Sequence, residues 1–439
     1  MTIQVFGYPK STFTLVIFHV LKELGLSYET VQPSSHEEIK TPEYLATKHP
    51  FGKIPYLDDD GFHIYESRAI ARYLVNKYQG TKNSTVLIPS DVQKAALMEQ
   101  FISVEISYYT SPLFKMLFEL LMKKRLQGSE PDSKIVNEAR EELETTLDVY
   151  EKLLEGKDYL TGEFSLADLL HIPLTFYAFN VGEGCDIYSS PPEKYLNKIY
   201  CTTLGKISYR GSRKQIYFLG ALYNLIDHED LRIMKFYDIK DIYQNELIVY
   251  GLSNLRTFKT KNKLGLPYEN VPTSYEEIKT PEYLAKQPFG KMPYLNDDGF
   301  HLYETRAIAR YLINKYQGTK NSTVLIPSDV QKAALVEQFI SVEISYYAQP
   351  LYKIIKPLTL KRLHGIEPDL KLVNEGREEL EKSLDVYEKL LEGKDYLTGE
   401  FSLADLLHVP VTFYAFKNAH EPWSKEWVLS SSQLKPSSA

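Results

Sequence analysis

Hydrophobic and polar positions at the start of the chain alternate first with a period of two and then with helical spacing. Residues 2–6 alternate and contain β-prone side chains, which predicts a strand. A helix is predicted from Ser11 or Thr12, either of which could cap it, to Leu24, and Gly25 provides its stop. The chain is therefore predicted to open with a β-α pair.

Short strands and helices continue this pattern up to residue 79. They are predicted at 28–31 (strand), 42–48 (helix), 55–58 and 62–65 (strands) and 67–79 (helix). Asp59-Asp60-Gly61, between the last two strands, is a hairpin signature. The order β-α-β-α-β-β-α predicts a small α/β domain.

From position 90 the pattern is helical throughout. Long helices are predicted over Asp91–Leu126 and Ser133–Leu154, and a further one from Ser165. Ser165-x-x-Asp168 has the form of a capping box, which assigns it to the folding of this last helix. His171 behind it is interpreted as a core histidine. An all-helical domain thus follows the α/β domain.

The whole two-domain unit occurs twice. Tyr65–Tyr109 and Tyr303–Tyr347 differ at three of 45 positions, so the period of about 240 residues reflects a duplication and not a solenoid. The predicted boundaries are 1–80 (α/β) and 90–200 (helical) for copy 1, 201–244 for a linker or irregular insertion, and 245–318 (shortened α/β) and 328–439 (helical, with a divergent tail) for copy 2.

Composition limits the classes of function. The 439 residues carry a net charge of −7, which argues against a nucleic acid as the main partner. Two cysteines are too few for a disulfide framework, so a reducing compartment is expected. The sequence shows neither a signal-like N-terminus nor a long uninterrupted apolar stretch. These features predict a soluble, cytoplasmic protein with no membrane partner.

Four short motifs in this order resemble those of a glutathione transferase of the serine-type, phi-like class found in fungi and plants. They are Ser11-Thr12-Phe13-Thr14, Pro50-Phe51-Gly52-Lys53-Ile54-Pro55-Tyr56-Leu57, Tyr65-Glu66-Ser67-Arg68-Ala69-Ile70 and Ser165-Leu166-Ala167-Asp168. The resemblance covers residues 1–200, and 245–416 with defects. It implies a thioredoxin-like α/β N-terminal domain and an all-α C-terminal domain, with the pair duplicated in one chain.

The resemblance implies that Ser11 is the catalytic residue and that glutathione is the co-substrate, with no metal. A serine hydroxyl at a helix N-terminus can donate to the thiolate of glutathione and so lower the pKa of its thiol. The glutathione sulfur is then the nucleophile that attacks a hydrophobic electrophile. Alternatively, Ser11 or Thr12 merely caps the helix.

Two lysines are implied candidates for the glycine carboxylate of glutathione. They are Lys40 and Lys53, although surface lysines are common and a solvent-facing role is the alternative. A histidine that contacts glutathione in many relatives falls at Ile39 in this chain, and His36 lies three positions earlier. The chain departs from the family pattern at this position, which bears on its affinity for glutathione.

Two further motifs are implied to bind the rest of glutathione. Ile54-Pro55 resembles the cis-proline step of the family, where the Ile54 backbone pairs with the cysteinyl part like an added strand. Glu66 can meet the ammonium group of the γ-glutamyl part, and Ser67 can hold its carboxylate at a helix N-terminus. The alternatives are an ordinary strand-entry proline and a simple N-cap.

An aromatic wall suits an apolar electrophile. Three aromatic residues on the predicted long helix could face the active site: Tyr108, Tyr109 and Phe114. Packing in the core of the helical domain explains them equally well.

Copy 2 keeps most of these positions but has no clear counterpart of Ser11. The possible glutathione-binding positions that it keeps are Lys279, Lys291, Met292, Pro293, Glu304 and Thr305. Counting from either end of its first helix places Leu255 or Gly251 at the serine position, and Ser253 matches neither register. The helix is also about one turn shorter than in copy 1. Copy 2 is therefore predicted to be catalytically weak or inactive.

Two functions are compatible with these features. The first is conjugation of glutathione to hydrophobic electrophiles, as in detoxification. The second is a non-catalytic module that binds glutathione, a hydrophobic ligand or a protein, and the absent histidine and altered copy 2 motivate it. Members of the family usually dimerise, so a homodimer or a pairing of the two copies within one chain is expected.

Overall fold

The computed structural model describes residues 2–82, 85–123, 128–181, 248–250, 263–266, 269–319 and 323–418. The predicted linker at 201–244 and the first helix of copy 2 lie outside these residues. The described residues form two compact units. The first contains copy 1 together with 248–250 and 269–316, and the second contains 263–266 and the described part of 317–418.

A four-stranded sheet forms the centre of the small domain of copy 1. Its strands are β1 (Ile3–Phe6), β2 (Glu29–Val31), β3 (Tyr56–Asp59) and β4 (Phe62–Tyr65), in the order β2-β1-β3-β4. β1 is parallel to β2, whereas the other neighbouring pairs are antiparallel. Val5, Leu57 and Ile64 are completely buried, since their strands alternate between the core and the outer face.

Three α-helices accompany this sheet: α1 (Thr12–Glu23), α2 (Pro42–Thr47) and α3 (Ser67–Tyr78). The turn between β1 and α1 is tight, because a Cβ atom at Gly7 would lie 2.5 Å from the hydroxyl of the buried Thr14. Glycine at this position therefore lets the start of α1 approach the sheet closely. The element order agrees with the predicted β-α-β-α-β-β-α.

The predicted hairpin is a two-residue turn between β3 and β4. Asp60 and Gly61 have φ angles of 57° and 87°, the combination that a type I′ turn needs. Asp59, just before the turn, is buried, and its carboxylate accepts hydrogen bonds from Tyr73, Lys77 and Tyr78 of α3. The turn is thereby fixed to the helix that packs on it.

The helical domain of copy 1 consists of α4 (Val92–Val104), α5 (Ser111–Leu117), α6 (Ser133–Leu153) and α7 (Leu166–Val181). The helical pattern predicted over 91–126 is present in the described residues as α4 and α5, with π-helical segments at 105–110 and 118–123. Pro112 has no N–H to donate to the carbonyl of Tyr108, which accepts from the Thr146 hydroxyl instead (3.0 Å). Hydrophobic periodicity does not reveal this change of helix type.

Helix α7 begins with the predicted capping box. The N–H and hydroxyl of Ser165 donate to the carboxylate of Asp168 at 3.0 and 2.8 Å. His171 is fully buried, and its ring nitrogens contact the Tyr150 hydroxyl and the Ala167 carbonyl oxygen. Both observations agree with a role in the core of the helical domain.

Copy 2 repeats the architecture within the described residues. Its α/β part contains β5 (Ile248–Tyr250), β6 (Asn270–Val271), α8 (Pro281–Leu284), β7 (Tyr294–Asp297), β8 (Phe300–Tyr303) and α9 (Thr305–Tyr316), with the strand order β6-β5-β7-β8. Its helical part contains α10 (Val330–Val342), α11 (Gln349–His364), α12 (Leu370–Leu390) and α13 (Leu403–Asn418). The predicted fold class, a thioredoxin-like domain followed by an all-α domain and present twice, is confirmed.

Within the first unit, α4 of copy 1 packs against α9 of copy 2. The carboxylate of the buried Glu99 accepts from Arg72 of its own copy at 2.6 and 2.8 Å, and Arg310 of copy 2 lies 3.7 Å away. Burial alone would raise the pKa of Glu99, but the two guanidinium groups hold it below its usual value. Beside this cluster, the N–H of Tyr303 donates to the Gln100 side chain at 2.9 Å.

None of the helices in the described ranges combines the length and the apolar character needed to cross a membrane.

Candidate active site

Ser11 lies where the turn after β1 meets the first turn of α1. Its backbone is extended (φ −73°, ψ 129°), as at an N-cap, and its N–H donates to the carbonyl of Tyr8 at 2.9 Å. Its side chain makes no capping hydrogen bond. The N-terminal end of α1 thus presents a serine hydroxyl and first-turn N–H groups that favour a negative charge.

A pocket opens between the start of α1, the start of α3 and the helical domain of copy 1. The empty space in this pocket and its open mouth, solvent included, is about 270 Å³, and its lining residues are Thr12, Phe13, Val16, Ser67, Arg68, Glu105, Thr110, Leu170 and Leu174. The walls from α1 and α7 are mainly apolar, whereas α3 and the first π-helical segment contribute polar groups. Such a pocket suits an apolar molecule that carries one polar group.

The polar side of the pocket is a buried ion pair. Arg68 donates to both carboxylate oxygens of Glu105 at 2.8–3.0 Å, and Thr110 also donates to this carboxylate. Only 2% of the Glu105 side chain is exposed. The pair connects the small domain to the helical domain behind the pocket. The sequence analysis missed this pair, although Glu105 is the one charged residue in the otherwise mainly apolar stretch 101–106.

The three aromatic residues that could form a wall have different surroundings. Phe114 is 40% exposed and its ring centre lies 6.5 Å from that of Phe13 in the first turn of α1. Tyr109 is buried, and its hydroxyl is bonded to Thr175 in the helical core. Tyr108 contacts copy 2, as described below. Of these three, Phe114 is the one beside the pocket.

Glu66 and Ser67 form the junction between β4 and α3. Glu66 has a φ angle of 71°, an unusual conformation for a non-glycine residue that is often found at functional sites. Ser67 is the first residue of α3 and is buried. His49, which the sequence analysis missed, lies behind Glu66 with its Nε2 3.5 Å from the carboxylate. Because the His49 Nδ1 accepts from the Phe51 N–H, the ring proton lies on the side of Glu66.

A second cluster carries positive charge. Lys40 donates to the carbonyl of Gly52 at 2.6 Å, and Gly52 has a φ angle of 59° that places its backbone against this lysine. Partial burial and the nearby charge of Lys53 lower the pKa of Lys40 to about 8. The pKa of Lys53 is also lowered by burial. His36 lies close to both lysines, and burial and their charges lower its pKa. A bound carboxylate would relieve the repulsion between these groups.

The peptide bond between Ile54 and Pro55 is cis, as the resemblance implied. Strand β3 begins at Tyr56, so the backbone of Ile54 lies just outside the ladder that joins β3 to β1. A ligand backbone can pair with such a segment in the manner of an added strand.

The predicted positions of copy 2 have a similar local arrangement. Met292 and Pro293 are joined by a cis peptide bond, Glu304 has a φ angle of 69°, and Thr305 is the first residue of α9. Lys279 and Lys291 are both exposed. These residues, Lys279, Lys291, Met292, Glu304 and Thr305, all belong to the first unit.

Tyr108 of copy 1 reaches this part of copy 2. Its hydroxyl donates to the Glu304 carboxylate at 3.1 Å, and its ring stacks on Phe289 at 4.7 Å between centres. Burial raises the pKa of Glu304 to about 7, although Tyr108 and the charges of Arg306 and Lys291 oppose the increase. The Glu304 position is therefore covered by a side chain from the other copy.

The described residues contain no group of three or more His, Cys, Asp or Glu side chains that could hold a metal ion.

Known family profiles match much of the chain. The profile described as "Glutathione S-transferase, N-terminal domain" matches residues 1–76, and a second profile with this description matches 260–320. The profile described as "Glutathione S-transferase, C-terminal domain" matches 109–197 and 344–423. Both domains are thus matched in each copy.

Individual relatives match a little over a third of the chain. Glutathione S-transferase F10 of Arabidopsis thaliana is 41% identical over 36% of this chain and 72% of its own length. Glutathione S-transferase hmp2 of Hypomyces subiculosus is 39% identical over 39% of this chain and 81% of its own. Among solved structures, glutathione transferase F7 from Populus trichocarpa is 31% identical over 45% of this chain and 98% of its own, with a TM-score of 0.39.

Proposed function

Because the chain belongs to the glutathione S-transferase family, we propose that copy 1 transfers glutathione to hydrophobic electrophiles, with Ser11 as the residue that stabilises the thiolate. The main support is that the Ser11 hydroxyl, at the N-terminus of α1, makes no capping hydrogen bond. A donor in that position favours the ionised thiol, since it bonds the charged form more strongly than the neutral form.

The remaining steps need no acid or base triad. The thiol proton passes to solvent, and the thiolate held at Ser11 attacks the electrophilic atom of the second substrate. A new carbon–sulfur bond forms as the leaving group departs with its electron pair. With an activated double bond, the π electrons instead move away from the attacked carbon, and the carbanion that results takes a proton from solvent. The protein contributes a lowered thiol pKa and a fixed geometry.

Different residues bind the γ-glutamyl and the cysteinyl parts of glutathione. Glu66 accepts from its ammonium group, and the first turn of α3 at Ser67 holds the γ-glutamyl carboxylate. The Ile54 backbone, before Pro55, pairs with the cysteinyl part. His49 holds the Glu66 carboxylate in place.

The positive cluster receives the other end of glutathione. Lys40 and Lys53 bind the glycine carboxylate, because burial lowers the pKa of both and a bound carboxylate would stabilise their charged forms. His36, close to both lysines, is the histidine available to contact the same carboxylate.

The electrophile occupies the pocket beside α1. Its apolar walls at Phe13, Val16, Leu170 and Leu174 favour a hydrophobic molecule. Phe114 extends this surface at the open side. Conjugation of such compounds in the cytoplasm would serve detoxification.

Replacing Ser11 by alanine is expected to raise the pKa of bound glutathione's thiol by one to two units and to lower kcat by about 10- to 100-fold, the usual effect of losing a hydrogen bond to a charged group. Conjugation to a model aryl halide measures kcat, and thiolate absorbance measures the pKa. Ser253→Ala, a control in copy 2 at a serine that lies out of register with Ser11, should leave both unchanged. Near wild-type activity of Ser11→Ala would show that the thiolate is stabilised elsewhere.

The lysine cluster predicts a pH dependence of binding. The pKa of Lys40 is about 8, so its charge is complete well below that pH and is lost above it. The affinity for S-methylglutathione, which has no ionisable thiol, should therefore fall by about threefold or more between pH 7 and pH 9.

Arginine at position 40 keeps its charge over this range. Calorimetry on the Lys40→Arg variant should thus give a clearly smaller change of affinity between the two pH values. An equal change in both proteins would mean that Lys40 is not the titrating group.

Copy 2 is proposed to bind glutathione weakly, if at all, and not to catalyse. Lys279, Lys291, Met292, Glu304 and Thr305 provide the same types of group as in copy 1, but the sequence offers no serine in register with Ser11. The second function inferred from the sequence, a non-catalytic binding module, is thereby assigned to copy 2. Occupancy of the Glu304 carboxylate by Tyr108 supports reduced binding there.

The two copies are proposed to pair within one chain in place of a homodimer. Three contacts between copy 1 and the α/β part of copy 2 support this pairing: Arg310 beside Glu99, the Tyr303 N–H on Gln100, and Tyr108 stacked on Phe289. They combine a buried charge cluster with aromatic packing, as stable protein interfaces do.

Pairing within the chain predicts a molar mass near 50.7 kDa by light scattering at micromolar concentration. Glu99→Lys, which places a third cation beside Arg72 and Arg310, should leave this mass unchanged but lower the melting temperature. If the wild-type mass is twice this value and Glu99→Lys halves it, the copies pair between chains.

A further inference from the structure

One contact joins the last helix of copy 1 to the turn that carries Ser11. The hydroxyl of Tyr177 in α7 donates to the backbone carbonyl of Lys10, although 167 positions separate the two residues. Both belong to the first unit, and α7 packs against α1. The helical domain therefore touches the residue directly before the proposed thiolate donor.

Tyr177 continues a face of α7 that is already directed to the pocket. Leu170 and Leu174 line the pocket together with Thr12 and Phe13 of α1. Position 177 follows at the same helical spacing (i, i+4, i+7), so it lies on the same face. The contact with Lys10 is consequently part of the packing of α7 on the start of α1.

The peptide group between Lys10 and Ser11 is held on both sides. Its carbonyl oxygen accepts from Tyr177, and its N–H donates to the carbonyl of Tyr8 at 2.9 Å. The plane of this peptide and the φ angle of Ser11 (−73°) together set the direction in which the Cα–Cβ bond of Ser11 leaves the backbone. Because the Ser11 side chain has no capping bond to fix it, the direction of its hydroxyl depends on this backbone.

We propose that Tyr177 is a positioning residue for thiolate formation: its hydroxyl holds the Lys10–Ser11 peptide so that the Ser11 hydroxyl points to the glutathione sulfur. This proposal rests on the proposed role of Ser11 and adds a residue from the helical domain to it. Tyr177 does not touch the sulfur and acts only through the backbone of Ser11.

Two other roles for Tyr177 give different results. A residue that only lines the electrophile pocket would change KM for the electrophile and leave the thiol pKa of bound glutathione unchanged. If Tyr177 only joins the two domains, its replacement would lower the stability of the protein. It would then reduce activity by the same factor in the Ser11→Ala background as in the wild-type protein. The thiol pKa and its dependence on Ser11 therefore identify a positioning role.

The test uses Tyr177→Phe in the full chain, which removes the hydroxyl and keeps the ring. The thiol pKa of bound glutathione should rise by about one unit, and kcat/KM at pH 6.5 should fall about tenfold, since a unit of pKa is a tenfold change in thiolate fraction. Binding of S-methylglutathione should change less than twofold, which also verifies folding. The matched variant in copy 2, Tyr414→Phe, should behave as the wild type.

The double variant Ser11→Ala/Tyr177→Phe completes the cycle. Its thiol pKa and kcat/KM should equal those of Ser11→Ala alone, because Tyr177 acts only through Ser11. An unchanged thiol pKa in Tyr177→Phe, or losses that multiply in the double variant, would overturn the proposal. If Ser11→Ala itself leaves the thiol pKa unchanged, the proposed function fails first, and the two failures are thus distinguished.

Discussion

The proposed function requires the start of α1 to hold a negative charge, and the arrangement of copy 1 is consistent with this requirement. Helix N–H groups favour an anion only where the fold does not use them, and the Ser11 side chain makes no capping bond. Close contact of Gly7 with Thr14 fixes the helix on the sheet. Tyr177 reaches the preceding carbonyl of Lys10 from the helical domain. The anion site is thus built by both domains, although its donors come from one turn.

Charged groups elsewhere in copy 1 also distinguish the two ligands. Burial lowers the pKa of both Lys40 and Lys53, and the charge of Lys53 lowers that of Lys40 further, so a bound carboxylate would stabilise their charged forms. The Arg68–Glu105 pair, in contrast, is neutralised within the protein, and it keeps one side of the pocket polar without a net charge. Together these features separate an anionic tripeptide from an apolar second substrate, which is the separation that conjugation requires.

Much of the fold could be predicted from the sequence, because its signals are local. Asp60-Gly61 specifies a tight turn wherever it occurs between strands. The π-helical segment before Pro112 could not be predicted, since hydrophobic periodicity does not distinguish it from an α-helix. His49 and Tyr177 were missed for a different reason. Each acts on a residue that the motifs had already identified, but from a position that only tertiary packing brings near.

The proposed function gives the two copies different chemistry on one scaffold. Copy 2 repeats the cis-proline loop and the strained Glu304, yet Tyr108 of copy 1 occupies this carboxylate and no serine stands in register with Ser11. We therefore expect one thiolate site per chain. Titrating the 50.7 kDa chain with glutathione at neutral pH, and following thiolate absorbance, tests it directly. One thiolate equivalent per chain is expected at saturation, whereas two equivalents would mean that copy 2 also forms a thiolate.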